Sequence, residues 1–292
     1  MCEDEEDAAN FYALSDLHDW VDEIINDRLA PGMKNQNRAW SILEKINSFD
    51  FDERFRYSEN VCLFFEIYRS YILNLEKISK GAFAENLKNL IELIRLAANQ
   101  KFRARVASRK RSAVNNRHGA RELIDRLFVT YGQLHVIRLD LLIEYGGAHL
   151  VSVEQAHARL KCFFGDRRRD KIHQELVGYI WKLEYSPRKG VYFHVVLILH
   201  TEVPRENGEL VKRFGEYWHF VVTGMKGGYI CNDEKWEPLR FGGTGEISPD
   251  NQEKRKALIR GIDYIVYKDV FLQPVRFVID GRKKMRTFGK SN

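Results

Sequence analysis

No apolar run in the sequence approaches ~18 residues, so nothing in it reads as a membrane-spanning helix. A secretory leader needs a basic start and an apolar core. This chain opens on the acidic MCEDEEDAAN, and a cytoplasmic protein is the expectation. Cysteine is scarce and scattered. Cys2, Cys62, Cys162 and Cys231 lie far apart, and none makes a CxxC or zinc-type CxH spacing. That pattern reads as reduced thiols, not as a disulfide framework or a zinc site. Charge of one sign is missing in two places. Residues 1–27 carry ten acids and no Lys or Arg, and KFRARVASRKRSAVNNRHGAR, 101–121, carries eight basic residues and no acid.

What remains is a chain of 292 residues, long enough for two domains of ordinary size. Hydrophobic residues make up 44% and charged residues 30%, the composition of a folded soluble protein. The net charge is +6, with a pI near 9.0. The basic block is either a solvated face or linker, or a site for a polyanion; charge alone does not choose between them.

The first ~100 residues carry apolar positions three and four apart. They are Phe11, Leu14, Leu17, Val21, Ile24 and Ile25; then Val61, Phe64, Phe65, Tyr68, Ile72, Leu75 and Ile78; then Phe83, Leu87, Leu90, Ile91 and Ile94. Each stretch predicts a helix with one apolar stripe, together a small bundle. No catalytic cluster stands out there. After the basic block the pattern changes. QLHVIRLDLLIEY (133–145) predicts a strand, and Ser152 with Gln155 is a capping box opening a helix. QELVGYIWKLEYS and VYFHVVLIL predict two strands joined by the turn SPRKG. GELVKRFGEYWHFVVTG predicts a helix ending at Gly224, and GGYICN a short strand. Ser248-Pro249 predicts the start of a helix through about Tyr267, and PVRFVID a last strand.

The order from 133 is β-α-β-β-α-β, that of a ferredoxin-like, split βαβ antiparallel sheet. The expected fold is therefore α+β: a helical accessory domain over 1–125, ending in the basic segment, then a sheet domain over 126–292 with helices on one face. A five-residue hairpin loop pairs Tyr185 with Val191, Glu184 with Tyr192 and Lys182 with His194. Lys182, Glu184, Tyr192 and His194 then share one face, which is expected to be open or only partly covered. Arg138 or Asp140 of the neighbouring strand joins them. Such a face is either a hydrogen-bonded histidine beside a cross-strand Lys–Glu pair, or a site for a divalent cation. On the later helix, Ala257, Gly261, Tyr264 and Lys268 form one stripe, with Tyr267 nearby. This is either an amphipathic helix with aromatics at its rim, or a tyrosine nucleophile beside a cation.

YIWKLEYSPRKGVYFHVVLIL, GEYWHFVVTGMKGGYICND, GIDYIVYKD and RTFGKS together resemble the C-terminal domain of the inovirus gene-II-product family (YagK/YfjJ type) over roughly residues 126–292. That family is related to the HUH class of rolling-circle replication initiators. The resemblance implies a prophage- or plasmid-type initiator that binds single-stranded DNA and nicks it by tyrosine transesterification. Tyr264 would be the nucleophile, Lys268 its neighbouring cation, and His194, Glu184 and Asp140 the ligands of Mg²⁺ or Mn²⁺. Where the family pattern on the third strand is His-aromatic-His, this chain has Tyr192-Phe193-His194. A neutral tyrosine is a poor ligand for either ion. A degenerate, non-nicking nucleic-acid-binding or regulatory protein of a mobile element therefore stands as the alternative, with a protein-interaction role as a third reading. The basic clusters Arg109, Lys110, Arg111 and Arg117, and Arg282, Lys283, Lys284 and Arg286, are the expected DNA contacts. Implied partners are single-stranded DNA and host replication proteins.

Overall fold

The computed structural model describes residues 3–29, 32–46, 55–72, 80–144, 151–165, 173–186, 189–200, 206–231, 243–274 and 286–292. The chain divides into two compact units: 1–113 with 268–273, and 114–267 with 274–292. The division falls inside a helix, and the basic block 101–121 is part of that helix, not a linker.

The first unit holds α1 (Glu3–Ile25), α2 (Met33–Ile46), β1 (Phe55–Tyr57), α3 (Glu59–Ile72), α4 (Lys80–Ala97) and the beginning of α5 (Gln100–Tyr131). Most of the predicted stripe residues form its core; Leu75 and Ile78 lie outside the described residues. Leu17, Trp20, Val21 and Ile24 of α1, Val61 and Phe64 of α3 and Leu90 and Ile94 of α4 are all buried, with the Trp20 ring edge-on to Phe64. A polar seam runs beside this core. His18 Nδ1 and Ser58 Oγ are 2.9 Å apart, and Asn60 Nδ2 donates to the His18 carbonyl. Burial pushes the His18 imidazole down to about 4, the Asp22 carboxylate only partly opposing it.

The second unit is built on an antiparallel sheet. Its strands are β2 (Leu134–Leu142), β3 (Leu176–Ser186), β4 (Gly190–Leu199), β5 (Gly228–Cys231), β6 (Gly245–Ile247) and β8 (Phe288–Lys290). The order is β5-β2-β4-β3-β8. On the side of β2 away from β4, β6 pairs with Leu134–Val136 and β5 with Leu139–Leu142, leaving Ile137 and Arg138 between them. β7 (Leu272–Pro274) lies outside this sheet and pairs with β1. The predicted last strand falls mostly on residues outside those described, from 275 onward.

Helices cover both faces, not one. On the first face lie α6 (Val153–Gly165) and α7 (Asn207–Glu216), the latter continued by a π-helical turn, Tyr217–Val222. Phe163 of α6 packs on Phe214 and Trp218, Phe164 stacks on Tyr179, and His157 sits edge-on to Trp181 and Phe193. The predicted capping box is present: the Ser152 N–H donates to Gln155 Oε1, and the Gln155 N–H to Ser152 Oγ. Gly215 lets α7 lie flat on the Tyr229 ring, where a Cβ would collide.

The opposite face is where the one-face expectation fails. Leu134, Val136, Ile180, Val196, Ile198, Ile247 and Phe288 form an apolar half-face. The end of α5 (Leu123, Ile124, Leu127, Phe128) and α8 (Gln252–Phe271; Leu258, Ile262, Ile265, Val266) bury it. This apolar half-face continues the polar one and needs a cover of its own. Arg255–Asp125 and Arg121–Asp263 ion pairs tie α5 to α8. α8 opens at Gln252, not at Ser248, because Asn251 Oδ1 accepts the Lys254 N–H and caps it.

Candidate functional site

The hairpin of β3 and β4 has the register read from its turn: Tyr185 opposite Val191, Glu184 opposite Tyr192, Lys182 opposite His194. β2 lies on the other side of β4, with Asp140 opposite His194 and Arg138 opposite Val196. Alternation therefore places Arg138, Asp140, Lys182, Glu184, Tyr192 and His194 on one face. They continue the apolar half-face, one pleat beyond Val196 and Ile180.

This face is closed. Arg138, Asp140, Lys182, Glu184 and Tyr192 are all buried, and His194 keeps only 12% of its side chain exposed. Buried charge survives only with partners. Asp140 Oδ1 meets His194 Nδ1 at 2.8 Å, and Asp140 Oδ2 accepts from Lys189 Nζ at 2.8 Å. The Arg138 guanidinium lies 3.2 Å from His194 Nε2. A guanidinium has no acceptor, so Nε2 must present its lone pair to Arg138. Nδ1 then carries the proton and donates to Asp140, and the imidazole is neutral. The electrostatics agree. Burial lowers the His194 pKa and Arg138 lowers it further, against the pull of Asp140. For Asp140, burial raises the carboxyl, but the hydrogen bond from His194 and the Lys189 ammonium outweigh it. A neutral imidazole leaves both in place, and they hold the group below the usual carboxylate range. The Lys189 ammonium also sits 5.1 Å from the centre of the Tyr192 ring.

The structure thus brings two of the three expected ligands, His194 and Asp140, into contact, with Glu184 on the same face. A divalent cation would need the Nε2 lone pair and a carboxylate edge. The Nε2 lone pair faces Arg138 and the Asp140 edge holds Lys189, so as arranged His194 and Asp140 do not fit the ion. Among the described residues no group of three or more His, Cys, Asp or Glu side chains is placed to hold a metal.

Tyr264 is half-buried and packs against the apolar cluster that contains Val196 and Ile180. Ala257 and Gly261 on its stripe are buried. Tyr267 and Lys268 are half-buried; Lys268 falls in the first unit and Tyr264 in the second. The basic cluster on α5 divides. Arg109 is 11% exposed and bonded to Glu59 at 3.1 Å, and Lys110 reaches Asp22 at 3.4 Å, both within the first unit. Arg111 is exposed and Arg117 partly so. Arg282, Lys283 and Lys284 lie outside the described residues; Arg286 is exposed and close to the Trp181 ring.

The residue that sequence reasoning missed is Lys189. It is a turn residue of SPRKG, and its only signal was standing one position before the strand that carries His194. Among the described residues no helix is long and apolar enough to cross a membrane. Comparison of the chain with family models, with curated proteins and with solved structures found no match in any of the three.

Proposed function

We propose that this chain is a single-stranded-DNA-binding protein of the rolling-circle-initiator type, a member of the inovirus gene-II-product family that does not nick. The observation that carries this reading is the chain Arg138–His194–Asp140–Lys189. The histidine that an initiator would offer to a metal is neutral here, and both its nitrogens face protein groups. Tyr192, in place of a first histidine, points the same way. Support for the fold comes from the strand order β5-β2-β4-β3, with α6 and the α7 segment as the two crossovers; this is the order of a ferredoxin-like split βαβ sheet. Support for a polyanionic partner comes from the +6 net charge.

The test is binding of a labelled single-stranded oligonucleotide in EDTA and in Mn²⁺, followed by denaturing electrophoresis. Equal, salt-sensitive binding in both, with no covalent adduct, is the expected result. The position of Tyr264 against the same sheet face favours the nicking reading. A Mn²⁺-dependent adduct that Tyr264→Phe abolishes would establish that reading in place of this one. An active but weakened site would also gain adduct on Tyr192→His.

A further inference from the structure

We infer that single-stranded DNA is gripped at the end of the sheet where β2 finishes, with Phe220 as a stacking platform for an unpaired base. The inference rests on the DNA-binding reading and names the surface that performs it.

Three large apolar side chains stand out of the fold together: Phe220, Val221 and Met225 are 56%, 62% and 65% exposed. They sit on the π-helical turn and the bend after it. Such turns are rare and concentrate at functional sites. The backbone that presents them is pinned. Trp218 is fully buried and donates its indole N–H to the Leu142 carbonyl at 2.8 Å. Thr223 Oγ1 donates to the His219 carbonyl and accepts the Gly227 N–H. His219 Nδ1 donates to the Gly227 carbonyl at 2.6 Å, and the Met225 N–H to the His219 carbonyl at 2.8 Å. Met225 adopts φ 66°, a left-handed conformation uncommon for a residue with a Cβ. The fold thus accepts backbone strain while holding apolar side chains in water, where burial would be worth more.

The surroundings say what covers them. Gly228 is opposite Leu142, Leu142 opposite Tyr192, and Tyr192 opposite Glu184, so the knob shares one end of the sheet with the Lys189 turn. Lys226, next to Met225, is exposed. Arg286 is exposed beside the same row, because the neighbouring Thr287 carbonyl accepts the Leu183 N–H. Acids are present too: Glu144 is paired with Arg159, Glu216, just before the turn, is part-exposed and paired with Lys212, and Glu184 is buried. An exposed aromatic with an exposed cation on the same turn, here Phe220 and Lys226, is the pattern that reads single-stranded DNA, bases on the ring and phosphate on the cation. Three side chains of this size expose on the order of 300 Å², well short of the about 800 Å² that each partner gives a stable protein interface. The α5 cluster is a poorer candidate, since Arg109 and Lys110 are engaged within the first unit.

The experiment is fluorescence anisotropy with a labelled oligonucleotide, and with the same strand carrying abasic sites. Phe220→Ala should weaken binding of the normal strand about tenfold and leave the abasic strand unchanged. Phe220→Trp should retain binding and be quenched by the bases. Lys226→Ala should flatten the log K against log salt slope by about 0.7. Thermal melts of each variant should match wild type, because these side chains are exposed. If wild type binds neither strand, the DNA-binding reading itself falls, and this surface with it. If wild type binds but Phe220→Ala and the abasic strand change nothing, only the assignment of this surface is overturned. It is likewise overturned if Phe220→Ala instead dissolves a dimer seen by sedimentation.

Discussion

Replacing Asp140 by Asn removes one charge and almost no volume, and it separates a protein ion cluster from an emptied metal site by the sign of the effect. Carboxylates gathered for a cation repel one another without it, so neutralising one should stabilise the metal-free protein. Here the sign is reversed. Asp140 is buried between the Lys189 ammonium and the His194 Nδ1–H, each at 2.8 Å, with the Arg138 guanidinium beyond the ring. Unit charges about 3 Å apart attract by roughly 5 kcal/mol at an effective dielectric of 20. Breaking a buried pair from one side costs ~3–5 kcal/mol. Lys189 is 26% exposed and can swing toward water, so the lower end applies, about 3 kcal/mol. Urea unfolding followed by tryptophan fluorescence should show the midpoint falling by about 1 M. Adding Lys189→Met should recover part of the loss, a coupling of about 1–3 kcal/mol. Wild-type stability should be the same in EDTA and in Mn²⁺. A neutral or stabilising Asp140→Asn, together with a wild-type midpoint raised by Mn²⁺, would refute the ion-cluster argument.

Acidification should weaken the first unit through His18. Its folded value of about 4 lies below the ordinary value of 6.5, so the stability it contributes is present above 6.5 and is lost as pH falls toward 4. At ~1.4 kcal/mol per unit that loss is about 3 kcal/mol, and His18→Gln should flatten the pH dependence of the urea midpoint. Arg109→Ala should destabilise by ~3 kcal/mol by removing the cation 3.1 Å from the Glu59 carboxylate, which is 12% exposed. Arg111→Ala should leave stability unchanged, a contrast that melts of the two variants would check. Gly215→Ala should cost ~2 kcal/mol or more, because its Cβ meets the Tyr229 ring; a wild-type melting temperature would show that α7 can lift off the sheet.

Much of the second unit was legible. The five-residue SPRKG turn between two strand-like runs set the register of β3 against β4, and with it the company of Lys182, Glu184, Tyr192 and His194. The strand order placed β2 beside β4, which brought Asp140 to His194. The capping box announced α6 because both of its hydrogen bonds are local. Features made by distant contacts were not readable. The strands β6 and β8 are three residues each, too short to show alternation. The cover of α5 and α8 over Leu134, Val136 and Val196 depends on packing that no single element declares. At the site, the chemistry turned on where two long side chains reach. Lys189 from the turn and Arg138 from the next strand take the oxygen and nitrogen atoms that the residue types alone left open to a metal.

The interrupted side of β2 bears on the behaviour of the protein in crowded solution. A foreign strand seeking to extend this sheet needs a continuous run of free amides and carbonyls, and cross-β growth uses segments of about six or seven residues. Among the described residues, one margin of the sheet offers β5, four residues, and β6, three, whose registers on β2 stop on either side of Ile137–Arg138. The other margin offers β8, three residues. Neither is long enough to template another chain. Among the described residues, short borders are thus one means by which a largely apolar sheet resists edge-to-edge pairing.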